Sequence, residues 1–188
     1  MCKTISCSLY HIIKQEETMN YTFNQFEPRI DEQAWVAPSA DLIGQVEIGA
    51  NSSVWYATVL RGDIAPIIIG KNCSVQDGTV IHVDFETPTI LGDDVTVGHK
   101  AIIHACTIGN GCLIGMGATV LNGAEIGQES IVAAGAVVTP GKKFPPRSMI
   151  MGMPAKVVRK LSEEEAHHLH EHAQMYVQLN EKYKAQKL

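Results

Sequence analysis

The chain has 188 residues and a formal net charge of −5 with histidine counted neutral, which fits one domain with a small appendage. Hydrophobic residues make up 45% and charged residues 19%, which excludes a disordered chain. The acidic balance argues against nucleic-acid partners, and no apolar stretch is long enough for a membrane-spanning helix.

Residues 1–18 differ in composition from the rest of the chain. His11, Lys14, Glu16 and Glu17 interrupt any apolar segment, so the stretch does not read as a convincing signal peptide. It reads as a poorly ordered extension or a mis-called start ahead of Met19. The five cysteines, Cys2, Cys7, Cys73, Cys106 and Cys112, are scattered without CxxC spacing. That pattern indicates free thiols in a reducing, cytoplasmic setting.

From residue 19 to residue 150 a repeat of six takes over. Val36, Leu42, Ile48, Val54 and Leu60 form one run, and Ile108, Ile114, Val120, Ile126, Val132 and Val138 another. Shorter runs lie between: Ile69, Val75 and Ile81, then Leu91, Val97 and Ile103. Gly often follows the aliphatic, and a small residue usually stands four positions after it. One aliphatic and one small residue per six predict an all-β fold, a parallel β-helix whose interior stacks aliphatics coil upon coil. Cys73 and Cys112 take the small interior slot and are expected to be buried.

Pro140, Pro145 and Pro146 are expected to end the repeat, and 151–188 reads as a linker and a C-terminal helix. Ser162 and Glu165 have capping-box spacing. Ala166, Leu169, Ala173, Tyr176 and Val177 recur at helical spacing, which predicts a helix over about 162–184. His167, His168, His170 and His172 on this helix read as a solvated face.

Four polar residues occupy the position after an aliphatic: Arg61, Gln76, His82 and His104. Counting 18 residues per coil plus a four-residue insertion within Val83–Ile90 stacks His104 on His82. A three-residue insertion brings Arg61 into the same column one coil earlier. His99 falls on the preceding face, one coil above Asp77. A strand of four or five residues spans roughly 15 Å, far beyond metal–nitrogen bonds of about 2.0–2.1 Å. His99 therefore joins His82 and His104 only from a neighbouring subunit, as in a cyclic homotrimer. Three neutral imidazoles with an open fourth position suit a catalytic zinc, with Fe(II) or Co as alternatives. Two stacked histidines also suit a plain interface pair, and residue types alone leave both readings open.

Leu60-Arg61-Gly62-Asp63, Val75-Gln76-Asp77-Gly78, Ile81-His82, Val97-Gly98-His99, Ile103-His104, Ile114-Gly115-Met116-Gly117 and Gly152-Met153-Pro154-Ala155-Lys156 together resemble the γ-class carbonic anhydrase family. The resemblance covers about 19–184 and implies a left-handed β-helix. It implies that His82, His99 and His104 ligate the metal and that Gln76 bonds the metal-bound hydroxide. Arg61 and Asp63 would pair near the subunit interface with Asp77 alongside, and Tyr176 would stand near the metal. The implied reaction is carbon dioxide hydration to bicarbonate by a lyase. Alternatives are a metallo-hydrolase such as an acyl-CoA thioesterase, a hexapeptide acyltransferase, or a non-catalytic trimeric metal-binding scaffold. The sequence departs from the best-known branch in two places. Ile64 stands where that branch has a proton-shuttling glutamate, and Val83–Ile90 replaces a long acidic loop, leaving Asp84 and Glu86 as stand-ins.

Overall fold

A computed structural model describes residues 19–186 of the chain. Residues 1–18, read above as an extension or mis-called start, lie outside the described residues. The hexapeptides form a parallel-strand solenoid followed by one helix, Glu163–Gln186. Most strands are two or three residues long, because each hexapeptide supplies one short strand and one corner.

On one face the strands at Trp35–Val36, Ser53–Val54, Ser74–Val75, Thr96–Val97, Leu113–Ile114, Ile131–Val132 and Ser148–Gly152 stack in parallel register. The remaining faces merge into one 12-stranded sheet. Leu42, Leu60, Ile81, Ile103, Val120 and Val138 are fully buried, so the predicted aliphatic column is the core. Each coil removes its neighbour's aliphatic from water, at about 25 cal/mol per Å² of apolar surface. Cys73, Cys106 and Cys112 are buried among them, and burial pushes each thiol up to about 12.

The prolines do not end the stacking. Lys143–Phe144 still pairs with Glu125–Ile126, and Ser148–Gly152 with Ile131–Val132, so Ile150 is a core residue. A proline can sit at a corner, where its missing N–H takes nothing from the ladder. The solenoid ends instead on an antiparallel hairpin. Ala155–Lys160, expected as linker, turns back on Ser148–Gly152.

The helix is capped as expected: Glu165 N–H donates to Ser162 Oγ at 3.1 Å, and Ser162 N–H to Glu165 at 2.9 Å. It returns along the face that begins at Trp35. Tyr176 and Tyr183 pack with Trp35, Trp55 and Tyr56 in an edge-to-face aromatic cluster. Trp55 Nε1 is shared between the Ser53 and Ser74 hydroxyls, each at 3.0 Å. Two of the four helix histidines depart from the solvated face predicted for them. His170 Nδ1 lies 3.1 Å from Asp94, and His172 Nδ1 lies 3.3 Å from Thr96 Oγ1. The helix turns these two rings toward the solenoid, one turn from the buried Ala166, Leu169 and Ala173.

Candidate metal centre

His82 and His104 are register partners on neighbouring strands, and Arg61 pairs with His82 one coil earlier. The column counted from the sequence is therefore present, with the first insertion absorbed as a register shift inside the strand Val59–Ile69 and the second folded into the turn Asp84–Thr87. His82 Nδ1 and His104 Nε2 face each other at 3.1 Å. Two ligands of a tetrahedral zinc would sit about 3.3–3.4 Å apart.

The outer partners decide what those nitrogens carry. His82 Nε2 lies 3.0 Å from Asp63 Oδ1. An ionised carboxylate only accepts, so His82 donates from Nε2, and its singly protonated ring keeps the lone pair on Nδ1. Asp63 also receives Arg61; against the opposing effect of burial, the hydrogen bonds from His82 and then Arg61 hold its carboxyl below the ordinary range. His104 Nδ1 lies 2.9 Å from Asn122 Oδ1, which places the His104 lone pair on Nε2. In the singly protonated rings two lone pairs then face each other across that gap. That arrangement fits a cation bound at both nitrogens, with carboxylate and amide partners fixing the ligand tautomers.

His99 stands apart from this pair. It faces Asp77 on the coil below, Nδ1 to Oδ2 at 2.9 Å, which leaves Nε2 as its free nitrogen. Among the described residues no three His, Cys, Asp or Glu side chains converge to hold an ion. His99 lines a separate cavity of about 330 Å³ with Gln76, Met116, His172 and Tyr176. Its apolar floor is Leu113, Ile114, Ile131 and Val132. Gln76 is buried and lines this cavity beside Tyr176, and burial raises Tyr176 above the ordinary phenol range. Burial lowers His172 below the ordinary imidazole range.

The expected residues thus fall into two groups. Arg61, Asp63, His82 and His104 share one corner of the solenoid; Gln76, Asp77, His99 and Tyr176 share another. Asn122 and His172 were missed by sequence reading. Ile64 is 47% exposed beside Asp63 and brings no acid there.

The bacterial transferase hexapeptide family (six repeats) matches residues 88–122 and 105–140. A probable carbonic anhydrase of Methanocaldococcus jannaschii is 46% identical over 81% of this chain and 96% of its own length. The chain belongs to the γ-class carbonic anhydrase family. The mitochondrial gamma carbonic anhydrase 2 of Arabidopsis thaliana is 40% identical over 90% of this chain, which spans only 62% of that relative's length. Family members differ in what they are called: the carnitine operon protein CaiE of Escherichia coli is 40% identical over 78% of this chain and 75% of its own. Among solved structures, a putative acetyltransferase of Bacillus cereus superposes with a TM-score of 0.87 at 42% identity, covering 89% of this chain and 98% of that one. Among the described residues no helix is long and apolar enough to cross a membrane.

Proposed function

We propose that the chain catalyses reversible hydration of carbon dioxide at a metal centre shared between subunits of a homotrimer. The observation that carries this reading is the pair of lone-pair nitrogens on His82 and His104, aimed at each other by Asp63 and Asn122. His99 of a neighbouring copy is the third ligand, since its free Nε2 belongs to a different corner. Val80 and Ile102 support that assembly. They are neighbours in register, adjoin the two histidines and are 42% and 46% exposed in the single chain. A second copy seated there covers both.

His82 and His104 with His99 of a neighbouring copy would hold a divalent zinc, iron or cobalt ion, which would supply a nucleophile from water near neutral pH. Gln76, which lines the cavity with Tyr176, would offer its amide to the oxygens of carbon dioxide or bicarbonate. His82 and Arg61 together hold Asp63 ionised, and Asp63 holds His82 in its ligand tautomer. Asp77 does the same for His99. The proton released in each cycle needs an acceptor. In place of an acid at Ile64, the cavity holds the neutral imidazole of His172.

Stopped-flow carbon dioxide hydration by anaerobically purified protein, with metal measured on the same sample, tests the reading. Hydration is expected, and His104→Ala should abolish both activity and metal. A fully metallated protein with no hydration would overturn it. The apolar floor favours one second reading, a metallo-hydrolase acting on a thioester whose aliphatic chain lies along Leu113, Ile114 and Val132. Thioester hydrolysis lost in His104→Ala would support that reading.

A further inference from the structure

The insertion after His82 folds into a tight turn. Asp84 and Thr87 exchange backbone hydrogen bonds, and Phe85 is 72% exposed at the tip. By position, Asp84 is a stand-in for the missing acidic loop. Its surroundings say otherwise, because both carboxylate oxygens are taken. Oδ1 accepts the Phe85 N–H at 2.8 Å, and Oδ2 accepts from Asn122 Nδ2.

That second bond sets the direction of everything behind it. A carboxylate only accepts, so Asn122 must offer it the amide NH₂. The amide oxygen then faces His104, 2.9 Å from Nδ1, and accepts there. His104 is left with its lone pair on Nε2, toward His82. A flipped amide would put oxygen against carboxylate and NH₂ against the ring, placing the His104 proton on Nε2 and closing the site. The same insertion grips both histidine strands. Thr89 Oγ1 donates to the His82 carbonyl at 2.6 Å and accepts the Ala105 N–H at 2.9 Å.

We propose that the 83–90 insertion is a brace for the metal site, in which Asp84 acts through Asn122 to fix the ligand tautomer of His104. The inference rests on the metal reading above. Asp84 and Asn122 are positioning residues and touch no substrate. Loss of such an outer partner typically costs about 10- to 100-fold in metal affinity.

Cobalt(II) competition titrations on the full chain test this, using wild type, Asn122→Ala, Asp84→Ala, the double variant, and the swap Asp84→Asn with Asn122→Asp. Asn122→Ala should weaken cobalt binding by about 10- to 100-fold. Asp84→Ala should weaken it less, and the double variant should be no weaker than Asn122→Ala alone, because Asp84 has no other route to the site. In the swap, a carboxylate at position 122 still accepts from His104, and an amide at position 84 donates to that carboxylate, so affinity should return to near wild type. Long-range proton–nitrogen spectra of the metal-free protein should show one His104 tautomer in wild type and a mixture in Asn122→Ala. Unchanged affinity in Asn122→Ala, or losses that add in the double variant, would overturn the brace while leaving the metal reading intact. A wild type that takes up no cobalt would overturn the metal reading itself. Recovery in the swap also answers any charge of misfolding in the alanine variants.

Discussion

Burial acts in opposite chemical directions on His172 and Tyr176, which lie edge to face with ring centroids 5.3 Å apart. Each is held in its neutral form: the imidazole is lowered and the phenol raised. For His172 the consequence is a pH dependence of stability. Between its folded value and the ordinary value of about 6.5, the unfolded chain binds more protons than the folded one, so stability rises with pH. The contribution is complete above the ordinary value and is lost as pH falls through the lowered one. Urea midpoints should therefore drop as pH falls below about 6.5, and His172→Gln should flatten that slope. An unchanged slope in the variant would assign the dependence to other groups. The three buried thiols, pushed up to about 12, make a companion case. Cys73, Cys106 and Cys112 should resist alkylation in the native protein and react together on unfolding, as mass spectrometry would show.

At the level of the coil, backbone approaches set the limits. A Cβ on Gly115 would lie 2.4 Å from the Ala134 nitrogen on the next coil, and neither backbone can retreat without parting a ladder. Gly115→Ala should cost about 1–3 kcal/mol of unfolding free energy, measured by urea denaturation. Gly117→Ala, with open space at its Cβ, should cost only the strain of a left-handed backbone. This same rigidity made the fold readable. A six-residue period fixes which aliphatic stacks on which, so the pairing of His104 with His82 followed from counting. Asn122 escaped that counting because the hexapeptide from Ile103 to Ile108 is one residue short. Val120 pairs with Ile103 at a spacing of 17, and Asn122 then falls two positions after its aliphatic. The histidines of the helix escaped for a different reason. Helical periodicity places His170 beside the apolar stripe, but only the solenoid's corners supply Asp94 and Glu129 to meet it. The end of the solenoid was misread because corner prolines look like terminators when their place in the ladder is unknown.

The whole molecule carries its candidate ligands on two corners, and no bending of a close-packed solenoid brings them together. Two lone pairs lie at one corner, and a single imidazole held by Asp77 at the other. The proposed site would exist only between copies, which gives the proposal a genetic signature. His82→Ala and His99→Ala homotrimers should each lack metal, since each removes one ligand from every site. Mixed trimers place an intact His82–His104 corner of one chain opposite an intact His99 of the other at some interfaces. With random assembly a quarter of all interfaces recover the full ligand set (roughly, by symmetry). Metal measured on mixed trimers purified through two different tags should rise from none to one site per trimer, and hydration should rise with it. The opposite result, metal-free mixed trimers of verified composition, would mean that all the ligands come from one chain, which would require His99 to leave Asp77.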